Sequence, residues 1–200
     1  MERRRDFLEA VRQRPVIASA RTMADVREAA ASRVAAVFLL GGSIMTLPEM
    51  SAALRDAGKY VFIHLDLCEG LGRDAAAVDW CAQTLRPDGL ISTRAQLLRR
   101  AADLGMMTIH RIFLMDSSSL NGGIRHLTAN PPDLVEVLPG LVPKAIVRLR
   151  EQLGLPVIAG GMVTEDDDVA QALQAGALAV STSARSLWRM GVDEPLPAGE

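Results

Sequence analysis

A rhythm in the chain constrains its fold more than any other feature. Short apolar runs of strand length recur along it: Val16-Ile17-Ala18, Ala36 to Leu40, Val61 to Leu65, Gly89-Leu90-Ile91, Thr108 to Phe113, Leu134 to Leu138, Val157-Ile158-Ala159 and Leu178-Ala179-Val180. Consecutive apolar residues rather than alternating ones mean strands buried on both faces, as in a parallel sheet covered by helices. Amphipathic segments of helical length lie between the runs. Thr22 before Asp25, Thr46 before Glu49, Thr93 before Gln96 and Thr164 before Asp167 have the spacing of a capping box or its acidic variant, which starts a helix. Gly58, Gly105, Gly154 and Gly176 each follow a helical run and precede a strand, where glycine can take the left-handed conformation that ends a helix. The unit repeats eight times at roughly 20–25 residues, short for a strand–helix unit but enough for a minimal closed ring. An open doubly wound sheet, the alternative, usually has fewer strands at this length. The expectation is an α/β fold of the (β/α)8, TIM-barrel type: one domain over residues 1–192, an extra helix up to Gln13, and a frayed tail over 193–200.

Composition narrows the function. The 200 residues carry 22 basic and 24 acidic side chains, a net charge of -2, so a strongly basic nucleic-acid binder is not indicated and any RNA contact has to use a local patch. Such clusters exist at Arg3-Arg4-Arg5 with Arg12 and Arg14, at Arg94 with Arg99 and Arg100, at Arg125-His126, and at Lys144, Arg148 and Arg150. Aromatics are only 4%, so the core is built from Ala, Val, Leu, Ile and Met, and the nine methionines read as core filler. Cys68 and Cys81 have no metal spacing and read as free, buried thiols of a reducing compartment. The charged start, Met1 to Asp6, leads into no apolar signal segment, and runs such as Val34 to Leu40 are too short for a bilayer, so a cytoplasmic protein without a membrane partner is expected. There is no G-x-G-x-x-G, no Walker loop, no metal cluster and no nucleophile elbow. No lysine lies within the apolar runs, which argues against a Schiff-base aldolase.

Barrels of this class place their site at the carboxyl ends of the strands, often with a phosphate held by the loops after strands seven and eight. Here those ends are Gly160-Gly161, where the backbone can approach a ligand, and Ser181-Thr182-Ser183, which offers hydroxyls and a helix start. At the other ends stand His64, Asp66 and Glu69, then Ser92, then His110-Arg111, then Glu136, with Lys144 soon after. The eleven candidate ligand-binding residues are therefore His64, Asp66, Glu69, Ser92, Arg111, Glu136, Gly160, Gly161, Ser181, Thr182 and Ser183. Arg111 or Lys144 can pair with an anion. Of His110 and Arg111, one points to the helix layer, and alternation alone does not say which. The ligand expected is a small phosphorylated metabolite. An alternative is a sugar-phosphate enzyme, an isomerase, epimerase or synthase, with His64, Asp66 or Glu136 as general acid or base.

Several runs resemble one family. Val61 to Leu71, Pro87-Asp88-Gly89-Leu90-Ile91-Ser92-Thr93, Asp133 to Gly140, Pro156 to Gly161 and Ala175 to Ser183 are, in order, similar to motifs of the glycerol uptake operon antiterminator regulatory proteins, and the likeness runs from about Val16 to Trp188. The chain departs from that pattern at Gly41-Gly42-Ser43 and at Cys68. The resemblance implies a barrel, glycerol 3-phosphate as effector with no cofactor, leader messenger RNA as the partner whose early termination is prevented, and no catalysis.

Overall fold

The computed structural model describes residues 2–189. The expected tail, 193–200, lies outside the described residues. The eight strands are β1 (Val16–Ala20), β2 (Ala36–Leu39), β3 (Tyr60–His64), β4 (Gly89–Ser92), β5 (Met107–Phe113), β6 (Leu134–Leu138), β7 (Val157–Gly160) and β8 (Ala179–Thr182). Each pairs in parallel with the next, and β8 pairs with β1 through Ile17 opposite Ser181, which closes the ring. The helices are α1 (Glu2–Gln13), α2 (Met23–Ala31), α3 (Leu47–Asp56), α4 (Ala75–Trp80), α5 (Ala95–Asp103), α6 (Ser117–Ala129), α7 (Pro143–Leu153) and α8 (Asp166–Gln174). A short 3-10 turn, Arg185–Arg189, follows β8. No described helix is long and apolar enough to cross a membrane.

Every apolar run is a strand, and the four predicted helix-stopping glycines all have positive φ, from 64° to 92°. The predicted starts hold less well. Thr22 forms the capping box with Asp25. Thr46 instead accepts a bond from the Ser43 amide, and Pro48 helps set the first turn of α3. At α5 the cap position falls on Arg94, one residue beyond Thr93, because Ser92 accepts the Arg94 amide. At α8 it falls on Glu165, whose amide bonds Asp168. At α5 and α8 a neighbouring side chain takes the amide first, and at α3 the threonine hydroxyl is spent on the Ser43 amide, so the hydroxyl-to-acid spacing is not used.

Two cores share the strands. Outward residues such as Val37, Ile63, Leu90, Val137 and Val180 pack under the helices, and Cys68 and Cys81 lie in this layer as free buried thiols with pKa pushed up to about 12 by burial. Inward residues such as Ile17, Phe38, Phe62, Ile109 and Ile158 fill the ring. α1 seals the amino-terminal end of this interior. Phe7 is fully buried with its ring 4.9 Å from that of Phe62, and Arg3 on α1 pairs with Asp88, which also accepts the Val61 amide. Phe62 fits because Gly89 has no side chain: a Cβ there would strike its ring and the Met107 carbonyl. With one end plugged, the carboxyl end is the mouth available to a ligand.

Candidate ligand site at the barrel mouth

The inward positions change character toward the carboxyl ends. Where the middle of the ring holds Ile109 and Ile158, the next inward residues are Arg111, Glu136, Gly160 and Ser181, with His64 across the interior. Arg111 and Glu136 are register partners on β5 and β6. Arg111 Nε donates to Glu136 Oε2 at 2.6 Å, with the side chains 6% and 1% exposed. The Ser181 hydroxyl donates to the other carboxylate oxygen, Oε1, also at 2.6 Å. Gly160 makes room for this: a Cβ there would lie 2.5 Å from Ser181 Oγ and 2.8 Å from Glu136 Oε1. The structure also resolves the pair on β5. Arg111 faces the interior, while His110 faces the helix layer, with its ring edge-on to that of His126 on α6 at 5.2 Å.

His64 is 2% exposed, and its Nδ1 is buried without a hydrogen-bond partner among the described residues. Burial, with Arg111 nearby, lowers its pKa to about 4, so the ring is neutral at neutral pH. His64 and Asp66, two apart in sequence, do not share a strand: β3 ends at His64, and Asp66 lies in the 3-10 turn Leu65–Leu67. They remain neighbours, with Nδ1 3.8 Å from Oδ2. Asp66 accepts bonds from Ser92 Oγ and the Thr93 amide and pairs with Arg94, tying the ends of β3 and β4 together.

The expected residues therefore divide. His64, Arg111, Glu136, Gly160 and Ser181 come together inside the mouth, with Asp66 at its edge. Gly161 and Ser183 lie on the rim above them, Ser183 exposed. Three depart from the expected role. Ser92 spends its hydroxyl on Asp66 and the Arg94 amide. Thr182 turns outward, donating to the Val163 carbonyl and accepting the Ala184 amide. Glu69 has an exposed side chain, while its backbone bridges to the loop after β2, donating to the Gly42 carbonyl and accepting the Ile44 amide.

Sequence reading missed two features. Ser19 on β1 is 6% exposed and, by alternation from Ile17, faces the mouth. Gly161 and Met162 both have positive φ, 74° and 65°. For methionine that backbone costs roughly 1–2 kcal/mol, and such strain gathers at ligand sites. The Gly160-Gly161 pair is the signal that points to this loop.

Comparison with known proteins identifies the family. Residues 16–188 match the family model described as glycerol-3-phosphate responsive antiterminator. The chain belongs to that family. A crystal structure of the glycerol uptake operon antiterminator regulatory protein from Listeria monocytogenes is 33% identical and superposes with a TM-score of 0.83, covering 86% of this chain and 94% of that one. A glycerol uptake operon antiterminator-related protein from Thermotoga maritima is also 33% identical, with a TM-score of 0.78 over 88% of this chain and 98% of its own. The uncharacterized protein YgcP of Escherichia coli K12 is 35% identical over 92% of this chain and 96% of its own. The N-acetylmannosamine-6-phosphate 2-epimerase of Clostridium perfringens, 16% identical with a TM-score of 0.69, shares the fold. As a family member the chain is a transcription antitermination regulator of glycerol metabolism, built on a barrel.

Proposed function

We propose that this regulator binds glycerol 3-phosphate at the barrel mouth and that the bound effector changes its affinity for a leader messenger RNA in the cytoplasm, without catalysing a reaction. The observation that carries the reading is the polar layer of His64, Arg111, Glu136 and Ser181, placed directly below the Gly161 and Ser183 rim at the one end of the ring that α1 does not plug. In this reading the phosphate rests against the rim after β7 and β8, and the glycerol hydroxyls reach the layer beneath. The same geometry weighs against the enzyme reading. Both oxygens of Glu136 already accept strong hydrogen bonds, and His64, with a pKa of about 4, is a weak base.

Isothermal titration with glycerol 3-phosphate, glycerol and inorganic phosphate tests the site. Glycerol 3-phosphate binds best, and Ser183→Asp, which sets a negative charge on the exposed rim, weakens it while the melting curve stays cooperative. Equal binding by Ser183→Asp refutes the placement. Fluorescence anisotropy with labelled leader RNA, with and without saturating effector, tests regulation, because a ligand shifts an equilibrium only through unequal affinity for two states. RNA affinity that ignores the effector removes it. Turnover of any triose to pentose phosphate would restore the enzyme reading.

A further inference from the structure

Half of the exposed large apolar side chains among the described residues are not scattered. Of those among the described residues, Phe113 (56% exposed), Met115 (89%), Leu141 and Val142 (both 40%) sit together on the rim after β5 and β6. Immediately outside that rim, the helices that follow these strands carry an unbalanced positive charge. α6 has no carboxylate and α7 has only Glu151, against Arg125, Lys144, Arg148 and Arg150. Several cations elsewhere are matched: Arg3 with Asp88, Arg4 with Asp133 and Arg100 with Asp79 on their helices, and Arg185 in the turn after β8 with Asp25 and Glu28. Arg125, Lys144 and Arg150 make no ion pair among the described residues, and all three are exposed. Arg148 bonds Asn121 and so holds α7 against α6. Between α7 and α8 runs an open groove of about 730 Å³, lined by Lys144, Arg148 and the amides of Gln152, Gln171 and Gln174 beside Glu151.

Resting on the RNA reading above, we propose that this face is where RNA docks: the β5–β6 rim takes unpaired bases, and the α6–α7 surface with the adjoining α7–α8 groove takes the ribose-phosphate backbone. Apolar platforms beside a cationic track are what a single strand of RNA requires, since bases stack on apolar and aromatic side chains while phosphates follow the positive charge. A partner offering only apolar surface, such as a second copy of this chain, fits the rim but leaves the α6–α7 charge facing like charge. A folded, acidic protein fits the helices but not the rim. The face also adjoins the effector. The Gly140 amide donates to the Gly161 carbonyl at 3.2 Å, and α7 begins at Pro143, three residues further on. An effector resting on Gly161 thus presses on the loop that carries α7 and its cations.

The test uses the full chain with labelled RNA from the leader upstream of the source organism's glycerol-catabolism genes. Arg125→Glu/Arg150→Glu leaves the effector site untouched, and Arg14→Glu/Arg27→Glu makes the same charge change on another face. With about 0.7 counterions released per phosphate of a single strand, losing two contacts makes the salt dependence of log Kd shallower by about 1.4. The expected result is that shallower slope and at least tenfold weaker RNA binding for the first variant, with glycerol 3-phosphate titration unchanged, and no change for the second. Phe113→Ser lowers RNA affinity on the order of tenfold, as for one lost stacked base, with the slope unchanged. Equal losses in the two charge variants, or no loss in the first, overturn the assignment. So does a wild-type dimer in sedimentation that Phe113→Ser disperses without changing RNA binding, which would give the rim to a second copy. Wild-type protein that binds no leader RNA with or without effector overturns this inference together with the RNA half of the proposed function, whereas RNA-binding wild type with an indifferent Arg125→Glu/Arg150→Glu overturns this inference alone.

Discussion

Gly160→Ala is the substitution whose effect the geometry specifies best. The added methyl would lie 2.5 Å from Ser181 Oγ and 2.8 Å from Glu136 Oε1, closer than a real Cβ approaches either. The backbone of β7 is held between β6 and β8 through the Val137–Ala159 and Gly160–Ser181 pairs, so the side chains have to yield. The Ser181–Glu136 bond is the contact that breaks. A hydrogen bond to a charged acceptor contributes about 1.5–3 kcal/mol, and crowding a packed interior costs about 1–3 kcal/mol. Because one movement relieves both, the combined loss is about 2–4 kcal/mol rather than the full sum. For a chain of this size that lowers Tm by roughly 5–15 °C. The assay is urea and thermal unfolding followed by circular dichroism, run as a cycle with Ser181→Ala. The serine variant alone strands one oxygen of Glu136. In the double variant the methyl meets no hydroxyl, so the pair costs at least about 1 kcal/mol less than the two single losses added together. A Gly160→Ala protein within about 0.5 kcal/mol of wild type, or strict additivity, would refute the packing argument.

Three further outcomes follow from the same structure. Arg111→Met leaves Glu136 charged and buried without its partner, and should cost about 3–5 kcal/mol in urea unfolding, most of it recovered in Arg111→Met/Glu136→Leu. Acid should weaken the fold in two separate windows. His64 and His110 both have folded pKa values lowered to about 4 from 6.5, chiefly by burial, so the unfolded chain binds more protons between those values; the stability they contribute is whole above pH 6.5 and declines as pH falls to 4. Asp25, held at about 2 because bonds from Arg185, the Arg21 amide and Thr22 outweigh its burial, contributes only to the loss below pH 3.8, so His64→Asn/His110→Asn should flatten the upper window of a pH series of urea midpoints and leave the lower one. Phe7→Ala unplugs the amino-terminal end, and a fully buried ring of this kind costs about 3–5 kcal/mol, read as a lower urea midpoint.

The strands were legible because both their faces are buried, which writes each one as an unbroken apolar run that a helix face does not imitate. The ring closure followed from counting them. The phase of each strand was not legible. Alternation says that His110 and Arg111 point opposite ways, but with apolar residues on both faces of β5, nothing local says which side is the interior; only the register with β6, which sets Arg111 against Glu136, decides it. The helix starts failed for a related reason. Thr46, Thr93 and Thr164 all have the right spacing, yet Ser43, Ser92 and Asp168 lie near enough to make the decisive bonds, and competition among adjacent polar groups depends on backbone path rather than on spacing. The rim was invisible for the opposite reason. Phe113, Met115, Leu141 and Val142 have the hydropathy of core residues, and their exposure comes from their place at or just past the ends of the strands.

The polar layer in the mouth is hard to explain as a device for stability. A buried ion pair gains little net free energy, because the cost of taking both charges out of water offsets their attraction, and well-packed apolar residues often serve as well or better. The layer below in this same interior shows that alternative in use: Ile109, Leu134, Ile158 and Ala179 fill the ring there with no side-chain polar atom to satisfy. Arg111, Glu136 and Ser181 continue the same strands, at the same inward phase, and differ only in lying nearer the open end. A layer that stability does not require, set where a ligand can reach it and held rigid by bonds at both carboxylate oxygens of Glu136, is accounted for by binding. Its rigidity matters as much as its charge. Because Glu136 already neutralises one edge of Arg111, the site avoids holding an uncompensated cation when empty, and an arriving polar ligand meets donors and acceptors whose ordering cost was met on folding.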